Sequence, residues 1–173
     1  MAPQVVLSVG TDKHPFDRLV GWVDDWAAAH PDVEVFIQYG NSAAPTSAAG
    51  ADLIPHSELL DMLRTATVVV SHGGPSTVMD IRACRRYPLV VGRNPAMGEH
   101  VDEHQMRFAE HLAKHGMATQ VDTEEQLHGL IDKGLADPAS LVLEVDTDGV
   151  PAGVRAFADH MNSLLTIPTE ATR

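Results

Sequence analysis

Residues Thr67–Asp80, TVVVSHGGPSTVMD, carry the reading from which the rest of the chain follows. Four residues in a row, Thr67, Val68, Val69 and Val70, are β-branched, which favours a strand. The run breaks at Ser71-His72-Gly73-Gly74 and a helix is predicted to begin at once. Pro75 suits its first position, where the missing N–H has no partner to lose. Gly73 and Gly74 allow a sharp turn and let a ligand approach the backbone without meeting a side chain. The start of the helix offers unbonded N–H groups and the positive end of the dipole, which together favour a phosphate. Ser76 and Thr77 add hydroxyl donors, and Asp80 follows one turn beyond Ser76. Many doubly wound proteins contain one strand, glycine turn and helix of this kind, so the flanking segments decide.

On the N-terminal side, Val5–Val9 reads as a short buried strand ending at Gly10-Thr11. His14-Pro15 opens a helix whose Phe16, Leu19, Val20, Val23, Trp26 and Ala27 form one apolar stripe, stopped by His30-Pro31. Val33–Gln38 is a second strand. Asn41–Gly50 shows no period and is expected to be a mobile surface loop. Leu53-Ile54 is the candidate third strand, and His56–Ala66 a helix burying Leu59, Leu60 and Leu63.

Beyond the central unit and its helix (Ser76–Arg86) come a strand at Leu89–Val91, a long loop over Gly92–Val101 and a helix from Asp102 to His115, capped by Gly116. Met117–Val121 is the last strand and Thr123–Leu135 the last clear helix, with the Thr/Gln spacing of a capping box at its start. This alternation implies an α/β fold, a parallel sheet with helices on both faces. The expected organisation is a domain over 1–137 and an extension over 138–173. The extension reads as a turn-rich stretch at Asp146–Gly153, one helix at Val154–Leu165 folding back over the domain, and a frayed end from Ile167. In such sheets ligands sit at the carboxyl ends of the strands, where Gly10-Thr11, Ser71–Gly74 and Gly92–His104 all fall.

Composition narrows the function. The 173 residues include 24 acidic and 12 basic ones, a formal charge of −12. That balance argues against nucleic acid as a partner and against charge-driven docking on an anionic membrane. A single cysteine, Cys84, excludes an internal disulfide and is expected to be a packed core thiol. Met1–Gln4 runs straight into a strand with no leader pattern, and no apolar run approaches the ~20 residues of a membrane span. A cytoplasmic protein is the expectation.

Three segments then converge on a known family: VLSVGTDKHPFDRLV near the start, VVVSHGGPSTVMDIRACRRYPLVV in the middle and GEHVDEHQMRFAEHL after it. In this order and at this spacing they resemble the C-terminal, donor-binding domain of family 28 glycosyltransferases. The resemblance is closest to stand-alone donor subunits of two-component enzymes, such as those of bacterial exopolysaccharide synthesis or of dolichol-linked N-acetylglucosamine transfer. It implies the C-terminal half of a GT-B fold, Rossmann-like, and inverting transfer from a UDP-sugar to a lipid-linked acceptor. It also implies no metal and no other cofactor, and a membrane-anchored partner subunit that carries the acceptor site and holds this chain at the inner face of the membrane. Residues 1–137 become the nucleotide-sugar-binding domain. By the family pattern Asp80, where Glu is commoner, holds the ribose hydroxyls. His104 and Gln105 match the pair on the donor sugar, Gly10 and Thr11 lie near the diphosphate, and Ile54 lies in the segment lining the base pocket. The aromatic found there in plant and animal relatives is absent.

Residue chemistry adds the remaining candidates and their alternatives. Gln105 shares a stripe with Phe108, Ala109 and Leu112 and so faces inward. An acidic protein needs a cation for a diphosphate; Arg93 is the first candidate and Lys13 the second. His14 is either a helix cap or a phosphate contact. His72 either touches the ligand or braces the turn. No residue stands out as the catalytic base, which is then expected on the partner. Two other functions stay open: a non-catalytic nucleotide-sugar-binding module, and a zinc hydrolase, because His100, Glu103 and His104 spell H-x-x-E-H.

Overall fold

The computed structural model describes residues 3–144. The chain divides into two units, Met1–Leu143 and Glu144–Arg173. The helix expected at Val154–Leu165, the turns at Asp146–Gly153 and the end from Ile167 lie outside the described residues.

Six strands form one sheet: β1 (Val5–Ser8), β2 (Val35–Gln38), β3 (Ala49–Ala51), β4 (Val68–His72), β5 (Leu89–Val91) and β6 (Thr119–Gln120). Their order is β3-β2-β1-β4-β5-β6 and every pairing is parallel. Among the described residues five α-helices connect or follow them: α1 (Asp17–Ala29), α2 (His56–Thr65), α3 (Pro75–Ala83), α4 (His104–Lys114) and α5 (Glu124–Ala136).

Alternation along the central strands explains the layering. Val5 and Leu7 of β1, with Val68 and Val70 of β4, point to the face covered by α1 and α5, where they meet Leu19, Val23, Trp26, Leu127 and Ile131. Val6 and Val69 point the other way, into Leu59 and Leu63 of α2 and Ile81 of α3. Burial on both sides is why these strands read as unbroken apolar runs. Cys84 belongs to this second cluster and is a core thiol, its pKa raised by burial.

Helix ends follow local chemistry. α3 stops earlier than expected because Arg85 adopts a left-handed backbone, φ 62°. At α5 the Thr123 hydroxyl accepts the Gln126 N–H at 3.2 Å, as a capping box requires. The Gln126 side chain instead accepts the Asp122 N–H at 3.0 Å.

The third strand is a correction. It is Ala49–Ala51, inside and just beyond the segment expected to be a mobile loop, and not Leu53-Ile54. Ala-Gly-Ala has little intrinsic strand preference; pairing of Phe36, Ile37 and Gln38 with Ala49, Gly50 and Ala51 makes it a strand. The approach is close, since a Cβ on Gly50 would lie 2.7 Å from the Ile37 carbonyl oxygen. The segment before it is pinned by Asp24 of α1. This buried carboxylate accepts the N–H groups of Thr46, Ser47 and Ala48 and the Thr46 hydroxyl, at 2.7 to 2.9 Å. Burial opposes the Asp24 charge, and the amide bonds outweigh it and hold its pKa below the usual value. Asp24→Ala should lower stability by about 2–3 kcal/mol, because three amide donors lose a charged acceptor. Urea unfolding measures the loss, and hydrogen exchange should speed up at the 46–48 amides.

Candidate functional site

The sheet order changes direction between β1 and β4, so the loops leaving these two strands part to opposite faces and open a crevice. A cavity of about 510 Å³ lies there. Gly10, Thr11 and Asp12 line it from β1, and His72, Gly74, Ser76, Thr77 and Asp80 from β4 and α3. Ile54 and His56 come from the start of α2, and Gln105 from α4. A second hollow, of about 640 Å³, lies at the other edge of the sheet against Ala27, Pro31, Glu34, Val35, Ser47 and Met62, away from the glycine turns and the start of α3. Converging polar groups mark the first as the candidate site.

Helix α3 enters the cavity with its N-terminus. Its first bond runs from the Val78 N–H to the Gly74 carbonyl, 3.2 Å, so the Ser76 and Thr77 amides precede it. Gly74 has an extended backbone, φ −81°, and is needed for space: a Cβ there would lie 2.1 Å from Cε1 of His72. Gly10 also lies close to this ring, with a Cβ position 2.4 Å from Nε2, and its φ of +76° also favours glycine. Gly73 does not line the cavity. A Cβ on it would lie 2.5 Å from the Gln105 carbonyl oxygen, so its bareness lets α4 come close.

His72 is 7% exposed. Its Nδ1 lies 3.1 Å from Oε1 of Gln105, and its Nε2 3.2 Å from Oγ1 of Thr77. Burial lowers its pKa from 6.5 to about 4, the Gln105 bond opposing and the Arg93 charge assisting. On the far side of α3, Oδ2 of Asp80 lies 2.8 Å from Nε2 of His56.

Five sequence candidates stand outside the cavity lining: Gly73, Arg93, Lys13, His14 and His104. Arg93 is the main correction: its guanidinium is fully buried and donates to the carbonyls of His14 (2.7 Å), Val9 (2.9 Å) and Glu99 (3.0 Å). It ties loops together and sits 4.8 Å from the centre of the Phe16 ring, so it is not placed to meet a diphosphate. No lysine or arginine lines the cavity; its charged groups among the described residues are the carboxylates of Asp12 and Asp80. His14 is neither cap nor cavity residue. Its Nδ1 lies 2.6 Å from Oδ1 of Asp12, and Phe16 occupies the cap position of α1. His104 is exposed and turns to Asp102, 2.8 Å away.

Asp12, His56, Ser8 and Gln38 line the cavity without having been singled out from the sequence. The alternation of strand β2 already aimed Gln38 at its carboxyl end, whereas nothing local distinguishes Asp12 or His56 from surface residues. Burial works against the Asp12 charge, but bonds from the His14 N–H and imidazole, helped by Arg93, hold its pKa below normal.

The H-x-x-E-H spacing does not build a zinc site. α4 begins only at His104, which leaves His100 in the preceding loop, and Glu103 pairs with Arg107 at 3.1 Å. Among the described residues no group of three His, Cys, Asp or Glu is placed to hold a metal.

The family model for the glycosyltransferase family 28 C-terminal domain matches residues 5–161. Among solved structures, the glycotransferase of kitacinnamycin is similar at 20% identity and a TM-score of 0.58, covering 80% of this chain and 36% of that one. MurG from Acinetobacter baumannii is similar at 22% identity and a TM-score of 0.54, with 80% and 43% covered. The spinosyn forosaminyltransferase SpnP is similar at 18% identity and a TM-score of 0.55, with 80% and 36% covered. The chain therefore spans less than half the length of these proteins, and at such identities the likeness is one of fold. No curated protein matches the sequence significantly.

A pH dependence follows from His72. Between pH 6.5 and about 4 the unfolded chain binds a proton at this position that the folded chain does not, so stability must fall as pH falls through that window. The contribution is on the order of 3 kcal/mol. Urea midpoints taken from pH 7 down to 4.5 should decline less steeply for His72→Asn than for the wild type.

Proposed function

This chain belongs to the glycosyltransferase family 28 C-terminal domains, Rossmann-like halves of GT-B enzymes, and on that premise we propose that it is the donor-binding half of an inverting glycosyltransferase. Its donor is a UDP-sugar and its acceptor a lipid-linked sugar or lipid phosphate held by a membrane-anchored partner subunit. The observation that carries the reading is one cavity lined by a helix start (Gly74–Thr77), a carboxylate one turn along the same helix (Asp80) and a carboxamide from α4 (Gln105).

Each group meets one part of such a donor. The amides at the start of α3, with the helix dipole, face the diphosphate and stabilise the charge that grows on it as the sugar leaves. Asp80 accepts the ribose hydroxyls, with His56 beside it. Gln105 binds the sugar, and Ile54 with Leu53 packs against the base. Lys13, exposed on the loop after β1, is the remaining cation near this edge. Backbone amides and a helix dipole supply the rest of the electrostatic work with no metal required.

The missing base supports a partner. Transfer needs a group that takes the acceptor's proton. Among the described cavity residues, His72 is engaged at both ring nitrogens and Asp12 by His14, and His56 is tied through Nε2 to Asp80, which this reading gives to the ribose. The base is therefore assigned to the acceptor side, and with it the chain's place at the cytoplasmic face of the membrane. Within the described residues no helix is long and apolar enough to cross a membrane.

Calorimetric titration with a panel of UDP- and GDP-sugars tests the donor. A UDP-sugar should bind, and Asp80→Ala should weaken it by about 10- to 100-fold, the worth of hydrogen bonds to a charged group. Transfer to a lipid acceptor should be marginal for the chain alone and appear with the partner. Loss of UDP-sugar binding in Asp80→Ala with unchanged transfer by the reconstituted pair would move catalysis out of this cavity and leave a binding module.

A further inference from the structure

His72 occupies space that two glycines leave for it: a Cβ on Gly10 would lie 2.4 Å from Nε2 and one on Gly74 2.1 Å from Cε1. Both nitrogens also have partners within the protein, Oε1 of Gln105 at 3.1 Å and Oγ1 of Thr77 at 3.2 Å. A neutral imidazole has one donor and one acceptor. Oε1 only accepts, so Nδ1 carries the proton; Nε2 is then bare and receives the proton of the Thr77 hydroxyl. Two consequences reach the cavity. Gln105 keeps both N–H protons free for a ligand, and Thr77 has no hydroxyl proton left to give a phosphate.

We propose that His72 is a positioning residue for the donor sugar: its Nδ1-protonated ring ties the Gln105 carboxamide on α4 to the Thr77 hydroxyl on α3. Gln105 thereby meets the sugar with its N–H groups, and Thr77 meets the phosphates through its backbone amide. The roles of sugar and phosphate rest on the donor-binding reading above; the relay itself does not. Gly10, Gly73 and Gly74 belong to the same device. Gly10 and Gly74 make room for the ring, and Gly73 lets the Gln105 backbone come within reach of it. The relay thus joins the sugar and phosphate ends of the cavity through one side chain that touches neither.

Two measurements on the full chain test this. Nitrogen-15 NMR of labelled histidine in the ligand-free protein should find His72 neutral at pH 7, with Nδ1 protonated and Nε2 bare. The opposite tautomer, or a charged ring, overturns the proposal. The second measurement compares affinities for UDP and for whichever of UDP-glucose, UDP-galactose and UDP-N-acetylglucosamine the wild type binds best. His72→Phe should weaken the UDP-sugar about tenfold more than UDP. His72→Asn, whose side-chain nitrogen can stand where Nδ1 stands, should recover most of that difference. In a Gln105→Ala background the difference should vanish. Equal weakening of UDP and UDP-sugar by His72→Phe, with no rescue by His72→Asn, would put the ring on the phosphates and overturn the proposal. A wild-type chain that binds none of the three sugars sinks the nucleotide-sugar reading, and the NMR tautomer still decides the relay.

Discussion

The register of β1 against β4 governs the carboxyl edge of this sheet. Val5 pairs with Val68 and each following residue keeps step until Ser8 meets Ser71. Both strands are buried on both faces, so a slip of one residue would send every side chain of one strand to the wrong layer. With Ser8 and Ser71 side by side, β1 ends while β4 runs one residue further, to His72 opposite Val91 of β5. Gly10 and Gly74 both come close to the His72 ring. The cavity is a consequence of that alignment, and the core that enforces it lies several residues away.

At both edges of the sheet, buried charges hold loops. Arg93 gathers the carbonyls of Val9, His14 and Glu99, and Glu99 in turn holds Arg18 through two bonds of 2.8 Å. Asp24 performs the mirror task with the amides of the 46–48 segment. In each case a charged side chain satisfies backbone groups that have no sheet or helix partner, which is the condition for burying irregular backbone. Rigid loops at the mouth matter for a site whose recognition depends on backbone amides. A diphosphate held this way gains little if the amides must first be ordered.

The same pairing of charge and backbone explains where reading the sequence went astray. Arg93 stands in a glycine- and proline-containing loop near a predicted phosphate site, and no local feature separates a ligand-binding arginine from one that serves carbonyls from the β1–α1 loop. Asn41–Gly50 lacks any period, yet its end is a strand because β2 lies beside it and Asp24 reaches across from α1. His56 reads as the first residue of an amphipathic helix and becomes a cavity residue only through Asp80, 24 positions later. All of these depend on contacts distant in the chain, to which period and propensity are blind.

What the sequence determined by itself is the set of local decisions: where valine runs must be buried, where glycine and proline must break them, and that a helix starts at Pro75 with its amides unpaired. Those follow from backbone sterics and hydrophobic period, and they sufficed for the parallel sheet with helices on both faces; the family rested on the resemblance of three segments. Tertiary structure decided which polar residues face the cavity and in what state: that Arg93 is turned inward, that Gln105 and Thr77 share one imidazole, and that His72 is neutral. Such choices depend on desolvation and on hydrogen-bond partners brought from other strands and helices, and so they exist only once the layers have closed.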